Sequence, residues 1–337
     1  MPFWLDLAAF LAKAVIIVAA IGALAFLVAR LMRSNEPKDR EIKVRSLNER
    51  YDDMRDALNA ALLDRKARKA LMKARKKERK ARRPADEGKR LYVLSFRGDL
   101  RAKAVKELGM AIDAVLTVAR KGTDEVVLRL ESPGGTVTGY GLAAAEILRL
   151  REHGVRTTAS VDQVAASGGY MMAAAADRIV AAPFAVVGSI GVVAPVPNIH
   201  RLLKKNEIDF EEMTAGEFKR SVSVLGEITP AGREHFKGKL EDTHGAFKAH
   251  VARCRPAVDI DTVANGDTWL ASEALALGLV DEIQTGDELL FKARETARLY
   301  EVTVETKKTM LQQLMGGMGA SARAAIEGVG ARLAGRL

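Results

Sequence analysis

The sequence predicts an α/β fold with parallel strand pairing over most of the chain. Three observations carry this. From Arg90 onward, short aliphatic and β-branched runs alternate with helix-length segments. The junctions are short and several are marked by glycine, as at Gly134, Gly135, Gly154, Gly168 and Gly169. Apolar residues make up 48% of 337 positions, enough to bury a full core and to exclude wholesale disorder.

The elements follow in order. Leu7–Ala29 is apolar over its length apart from Lys13. As a helix it would span ~35 Å, enough for a bilayer core. Lys13 near one end can snorkel, and Phe3 and Trp4 suit an interfacial belt. No Lys or Arg precedes Leu7 and the run is long, which favours an uncleaved anchor over a removed signal. Ile42–Arg83 reads as helix: rich in Ala, Leu, Lys, Arg and Glu, without Pro or Gly. Beyond Pro84–Gly88, strands are expected at Leu91–Phe96, Glu125–Leu130, Val155–Val161 and Arg178–Ala181. Helices are expected at Ala102–Ala119, Gly139–His153, Ser167–Ala176, Arg233–Cys254 and Ala271–Gly278. The domain organisation is then an anchor over 1–29, a basic helical linker over 30–88, the α/β domain over 89–300 and a glycine-rich tail over 301–337.

The net charge of +10 is local. Residues 30–90 hold 22 basic and 11 acidic residues, whereas the 247 residues after them hold 30 and 31. The body is neutral, so a basic surface over the whole protein is excluded. The basic stretch reads as a solvated spacer or as a helix lying on anionic lipid. Nucleic acid is disfavoured, because no aromatic residue interleaves between Tyr51 and Tyr92. One cysteine, Cys254, excludes a disulfide framework, and five scattered histidines lack metal-ligand spacing, so no metal and no cofactor is expected. His200, His235, His244 and His250 sit in charged, helical-looking sequence and are expected at the surface.

Two turns could carry chemistry. Glu131-Ser132-Pro133-Gly134-Gly135 follows a strand and precedes a helix; bare glycine amides there can line an oxyanion hole, or simply make a tight turn. Ala166-Ser167-Gly168-Gly169 opens a small-residue helix, where Ser167 is either a nucleophile or an N-cap. A nucleophilic serine needs a base, and a desolvated lysine can serve. Composition alone selects no particular lysine.

Ser132–Gly135, Ala166–Gly169, Gly188-Ser189-Ile190-Gly191 and Gly216-Glu217-Phe218-Lys219 occur in an order that resembles the signal peptide peptidase A / SohB family of bacterial membrane serine proteases. Gly266-Asp267-Thr268-Trp269 and Ala274–Ile283 resemble its C-terminal signature. The likeness covers roughly residues 90–290, and the anchor with its basic helix resembles the SohB branch. The resemblance implies a crotonase-like (ClpP-like) α/β peptidase fold with a serine–lysine dyad. Ser167 would be the nucleophile, Lys219 the general base and Ser189 the residue orienting the Lys219 amine. Backbone amides of Gly134 or Gly135 and of Gly168 would form the oxyanion hole. It further implies a homo-oligomer, membrane-associated or signal-peptide-like peptide substrates, and attachment to the bacterial inner membrane. The positive-inside rule puts the body in the cytoplasm, whereas the signal-peptide-peptidase-A branch is drawn outside it, so the side stays open. The competing readings are a catalytically silent membrane scaffold of the same fold, an acyl-CoA enzyme, and a membrane-tethered nucleic-acid binder.

Overall fold

A computed structural model describes residues 40–81 and 88–306. The expected anchor and nearly all of the tail lie outside these residues. No helix among the described residues is long and apolar enough to cross a membrane. The elements described below lie in one compact unit, Ile42–Val304, apart from a few strand-end residues.

A seven-stranded sheet has the order β1 (Arg40–Ser46), β10 (Arg298–Thr306), β2 (Arg90–Arg97), β3 (Glu125–Glu131), β4 (Arg156–Val161), β6 (Arg178–Ala181), β9 (Glu282–Ile283). From β10 to β9 every neighbouring pair is parallel. The alternation of side chains along each strand divides the core. Tyr92, Leu94 and Phe96 with Val126, Leu128 and Leu130 face one side, under α3 (Val105–Leu116) and α4 (Val137–Glu152). Leu91, Val93 and Val127 face the other, with Leu47 from α1 (Leu47–Leu62) and Leu290 from α10 (Gly286–Ala293). A second sheet joins β5 (Val164–Ala166) parallel to β7 (Val186–Gly188), and β7 antiparallel to β8 (Thr268–Leu270). Along the chain between β5 and β8 come α5 (Gly168–Ala174), α6 (His200–Lys205), the long α7 (Pro230–Cys254) and α8 (Ile260–Val263), and α9 (Ala271–Ala274) follows β8.

The parallel α/β expectation holds, with two differences at its borders. The predicted helix over Ile42–Arg83 begins as strand β1 and then divides into α1 and α2 (Arg65–Ala81). Ile42 and Val44 alternate with charged residues, a strand period that composition masked. Ser46 then caps α1, accepting a hydrogen bond from the Glu49 amide. At the other end β10 runs on to Thr306, past the expected boundary at 300; it pairs with Arg90–Val93 over Arg298–Glu301 and has β1 as its other neighbour in the sheet.

Candidate active site

β3 delivers Ser132 to the crossing point of the two sheets. The Ser132 amide donates to Val164 O at 2.8 Å, and Ser132 O accepts from the Ala166 amide at 3.0 Å. This stitches the Ser-Pro-Gly-Gly turn to β5, the strand that ends at Ser167. Gly134 has φ +93°, and a Cβ on it would lie 2.7 Å from Ser167 Cβ and 2.8 Å from Gly168 N. Only glycine allows the two turns to meet so closely. The Gly134 amide donates to Ser132 Oγ at 3.1 Å. The Gly135 and Gly168 amides find no acceptor among the described residues.

Ser167 occupies φ 52°, ψ −121°, a region that costs a non-glycine residue of order 1–3 kcal/mol. Its side chain makes no cap to α5, so the simple N-cap role is not adopted. Its amide donates to Gly188 O at 2.8 Å. Ala166 is paired with Gly188 across the parallel ladder, which places Ser167 and Ser189 side by side just past the ends of β5 and β7. Ser189 also has positive φ, 53°. The two neighbouring strand ends thus both carry serines in sparsely populated backbone conformations, each costing of order 1–3 kcal/mol.

The segment after Asn265 holds Ser189 in place. The Ser189 amide donates to Asp267 O at 2.6 Å. The Asp267 amide and carboxylate are tied to the Asn265 side chain at 2.9 Å each. Gly188 lies under Trp269, whose ring a Cβ would meet at 2.6 Å.

Two cavities open on Ser167. One, of about 330 Å³, runs between α4 and α7 and is largely apolar, lined by Val137, Ala144, Leu148, Met171, Val192 and Phe247 with Gly135 and Gly168 at its mouth and His250 and Arg253 on its wall. The other, of about 470 Å³, holds Ser167, Ser189, Lys237, Glu241 and His244. The surface expectation is corrected for all four histidines, each of which is half-buried: His200 Nδ1 is bonded to Leu225 O at 3.3 Å, His235 is covered by Phe218, and on α7 the Nε2 atoms of His244 and His250 are bonded to Ile190 O at 3.1 Å and Met171 O at 2.9 Å. Burial holds the His250 pKa below its ordinary value, against the hydrogen bond to Met171 O, which raises it. Helical periodicity of α7 was too weakly amphipathic to show which residues turn inward. Tyr140, fully buried beside Ser132, was likewise not signalled.

Ser167, Ser189, Gly134, Gly135 and Gly168 are thus brought together. Lys219 is not among them. It is exposed and lines neither cavity. Its neighbour Phe218 stacks on His235 of α7 with ring centroids 3.9 Å apart. His235 precedes His244 on the same helix by nine residues, roughly 13 Å along the axis. The lysine that lines the second cavity is Lys237, which is paired with Glu241 at 3.6 Å. Among the described residues no cluster of His, Cys, Asp and Glu could hold a metal.

Residues 2–147 match the family model described as Peptidase family S49 N-terminal, and residues 149–300 match Peptidase family S49. "Probable protease SohB" of Haemophilus influenzae is 44% identical over 317 residues, 90% of each chain. "Putative protease SohB" of Buchnera aphidicola subsp. Baizongia pistaciae is 37% identical over 329 residues, 93% of this chain and 94% of that one. A solved 1510-N membrane-bound stomatin-specific protease with a substrate peptide overlaps 69% of this chain and 98% of its own, at TM-score 0.41 and 13% identity. The chain belongs to peptidase family S49, as a SohB-like serine protease.

Proposed function

We propose that the chain is a membrane-anchored serine endopeptidase, with Ser167 as nucleophile and Lys219 as general base. The observation that carries the reading is Ser167 itself: strained, uncapped, and set at the mouth of an apolar cavity against two glycine turns. Lys219 Nζ takes the Ser167 Oγ proton as Oγ bonds to the substrate carbonyl carbon. The oxyanion is held by the Gly135 and Gly168 amides, since the Gly134 amide is engaged by Ser132. Losing one such donor typically costs ~2.7–4 kcal/mol of transition-state stabilisation. The proton passes to the leaving amine as the C–N bond breaks, and water then cleaves the acyl-serine. Ser189, beside Ser167, orients the lysine amine. The dyad closes when the Lys219 segment reaches Ser167, either within one chain or from a neighbouring copy.

The apolar cavity suits small or aliphatic substrate side chains, as in membrane-associated or signal-peptide-like peptides. Residues 7–29 would anchor the enzyme in the bacterial inner membrane.

Hydrolysis of a casein or peptide substrate by the detergent-solubilised protein tests the reading beside Ser167→Ala and Lys219→Ala. Both variants are expected to lose at least a hundred-fold in kcat while keeping the fold. Full activity of Lys219→Ala would move the base to His244 or His250. A silent wild type that also resists serine-reactive probes would leave a scaffold.

A further inference from the structure

The first turn of α1 is fixed to the protein body. Leu47 is buried, and the Asn48 side chain donates to Arg294 O and Ala297 O while accepting from the Leu299 amide at 2.7 Å. Tyr51 meets Phe291 edge-on. α2 folds back along α1: Arg75 reaches Asp52 at 3.6 Å and Asp56 at 3.4 Å. Arg75 and half-buried Leu71, one turn apart, define the side of α2 that faces α1.

The opposite side of α2 carries Lys66, Lys69, Lys73 and Lys77, spaced 3, 4 and 4 residues, so they form one row about 16 Å long. All four are exposed, and none makes an ion pair among the described residues. Like charges at these spacings oppose helix formation. Arg65 and Arg68 add to the same helix without an ion pair of their own, and Arg65–Ala81 contains ten basic residues and one acidic. A helix so charged wants an extended anionic surface. Stacking on nucleic-acid bases has no support, since no aromatic residue lies between Tyr51 and Tyr92. The apolar run 7–29 ends only ten residues before β1.

We propose that α2 is a second membrane contact, with its lysine row lying on the headgroups of anionic phospholipids and holding the peptidase body against the bilayer. This rests on the reading that residues 7–29 enter the membrane. Headgroup phosphates lie in a plane, which a straight row of flexible ammonium groups can engage along its full length.

The test uses the full chain with Cys254→Ser and Ala70→Cys, an environment-sensitive fluorophore at position 70, and vesicles of phosphatidylcholine alone or mixed with phosphatidylglycerol. Flotation with both vesicle types reports the anchor, and its absence would sink the 7–29 reading separately. A blue shift of the fluorophore only in the anionic vesicles is expected. It should vanish at 1 M salt, where the screening length is about 3 Å. It should also vanish when Lys66, Lys69, Lys73 and Lys77 are all replaced by Gln, with hydrolysis of a soluble peptide unchanged. Equal emission in both compositions overturns the proposal. So does a shift elicited by RNA or by raised protein concentration in place of anionic lipid.

Discussion

Tyr140 ties together the parts of the site that the two glycine turns bring close. Its hydroxyl donates to Asp99 O at 2.9 Å and lies 2.6 Å from Ser132 Oγ. Ser132 must then donate to Tyr140, and the Gly134 amide donates to Ser132, giving a chain of hydrogen bonds with one direction. Burial pushes the Tyr140 phenol up, which keeps it a donor. The face of the same ring lies under Gly168, where a Cβ would come within 2.4 Å of it. Tyr140 therefore sets the spacing between the Ser-Pro-Gly-Gly turn and the Gly168 amide. Tyr140→Phe keeps the ring and breaks the chain, leaving the buried Ser132 hydroxyl without an acceptor. We expect a loss of about 1–2 kcal/mol in stability and a roughly ten-fold fall in kcat at little-changed KM, less than loss of an oxyanion donor outright. Denaturant unfolding and steady-state kinetics check both; an unchanged kcat would reduce Tyr140 to a packing residue. The serine and glycine positions were legible as motifs in the chain. Tyr140 was not, because its importance comes from contacts with residues 8, 28 and 41 positions away.

At the scale of elements, the main sheet was readable and the small one was not. β2, β3, β4 and β6 are apolar runs bounded by turns, and each appears where the sequence put it within a residue or two. β5, β7 and β8 are three residues each, too short to show a period, and they are stabilised by one another rather than by propensity. Yet this sheet is what sets Ser167 beside Ser189. The Gly266–Trp269 signature was recognisable only as a resemblance; its physical reason is a contact with Gly188 and Ser189 nearly eighty residues earlier. Trp269 is partly exposed, so Trp269→Ala should cost roughly 2 kcal/mol, below the 3–5 typical of a buried aromatic. Because it releases Gly188, it should also lower kcat/KM, whereas Trp269→Phe should restore most of both. Urea midpoints read against peptide hydrolysis test this pairing. A stability loss without a rate loss would uncouple β8 from the site.

The whole molecule leaves one part of the site open, and its surface suggests how it is completed. The stretch from Phe184 to Val224 carries Lys219 and is poor in regular structure, with α6 as its one helix of six residues. It exposes Phe184, Val193, Leu202, Ile208 and Met213, the last at 90%. Single exposed apolar residues are ordinary, whereas a run of them along one segment is a candidate contact surface for a second copy of the chain. Covering it with a second copy would fix this segment and could carry Lys219 to a neighbouring Ser167. The consequence is a complementation experiment. Ser167→Ala and Lys219→Ala chains, each inactive alone, are co-expressed and purified as a mixed assembly. If the dyad is shared between copies, an intact Ser167 meets an intact Lys219 at some interfaces, and activity returns to a substantial fraction of wild type. If each chain closes its own dyad, every site in the mixture lacks one partner and activity stays at the single-variant level. Met213→Asp separates the two further: like a charge placed in any apolar interface, it should dissociate the assembly. Under a shared dyad it should abolish hydrolysis with the monomer still folded, and under a closed dyad it should leave the monomer active.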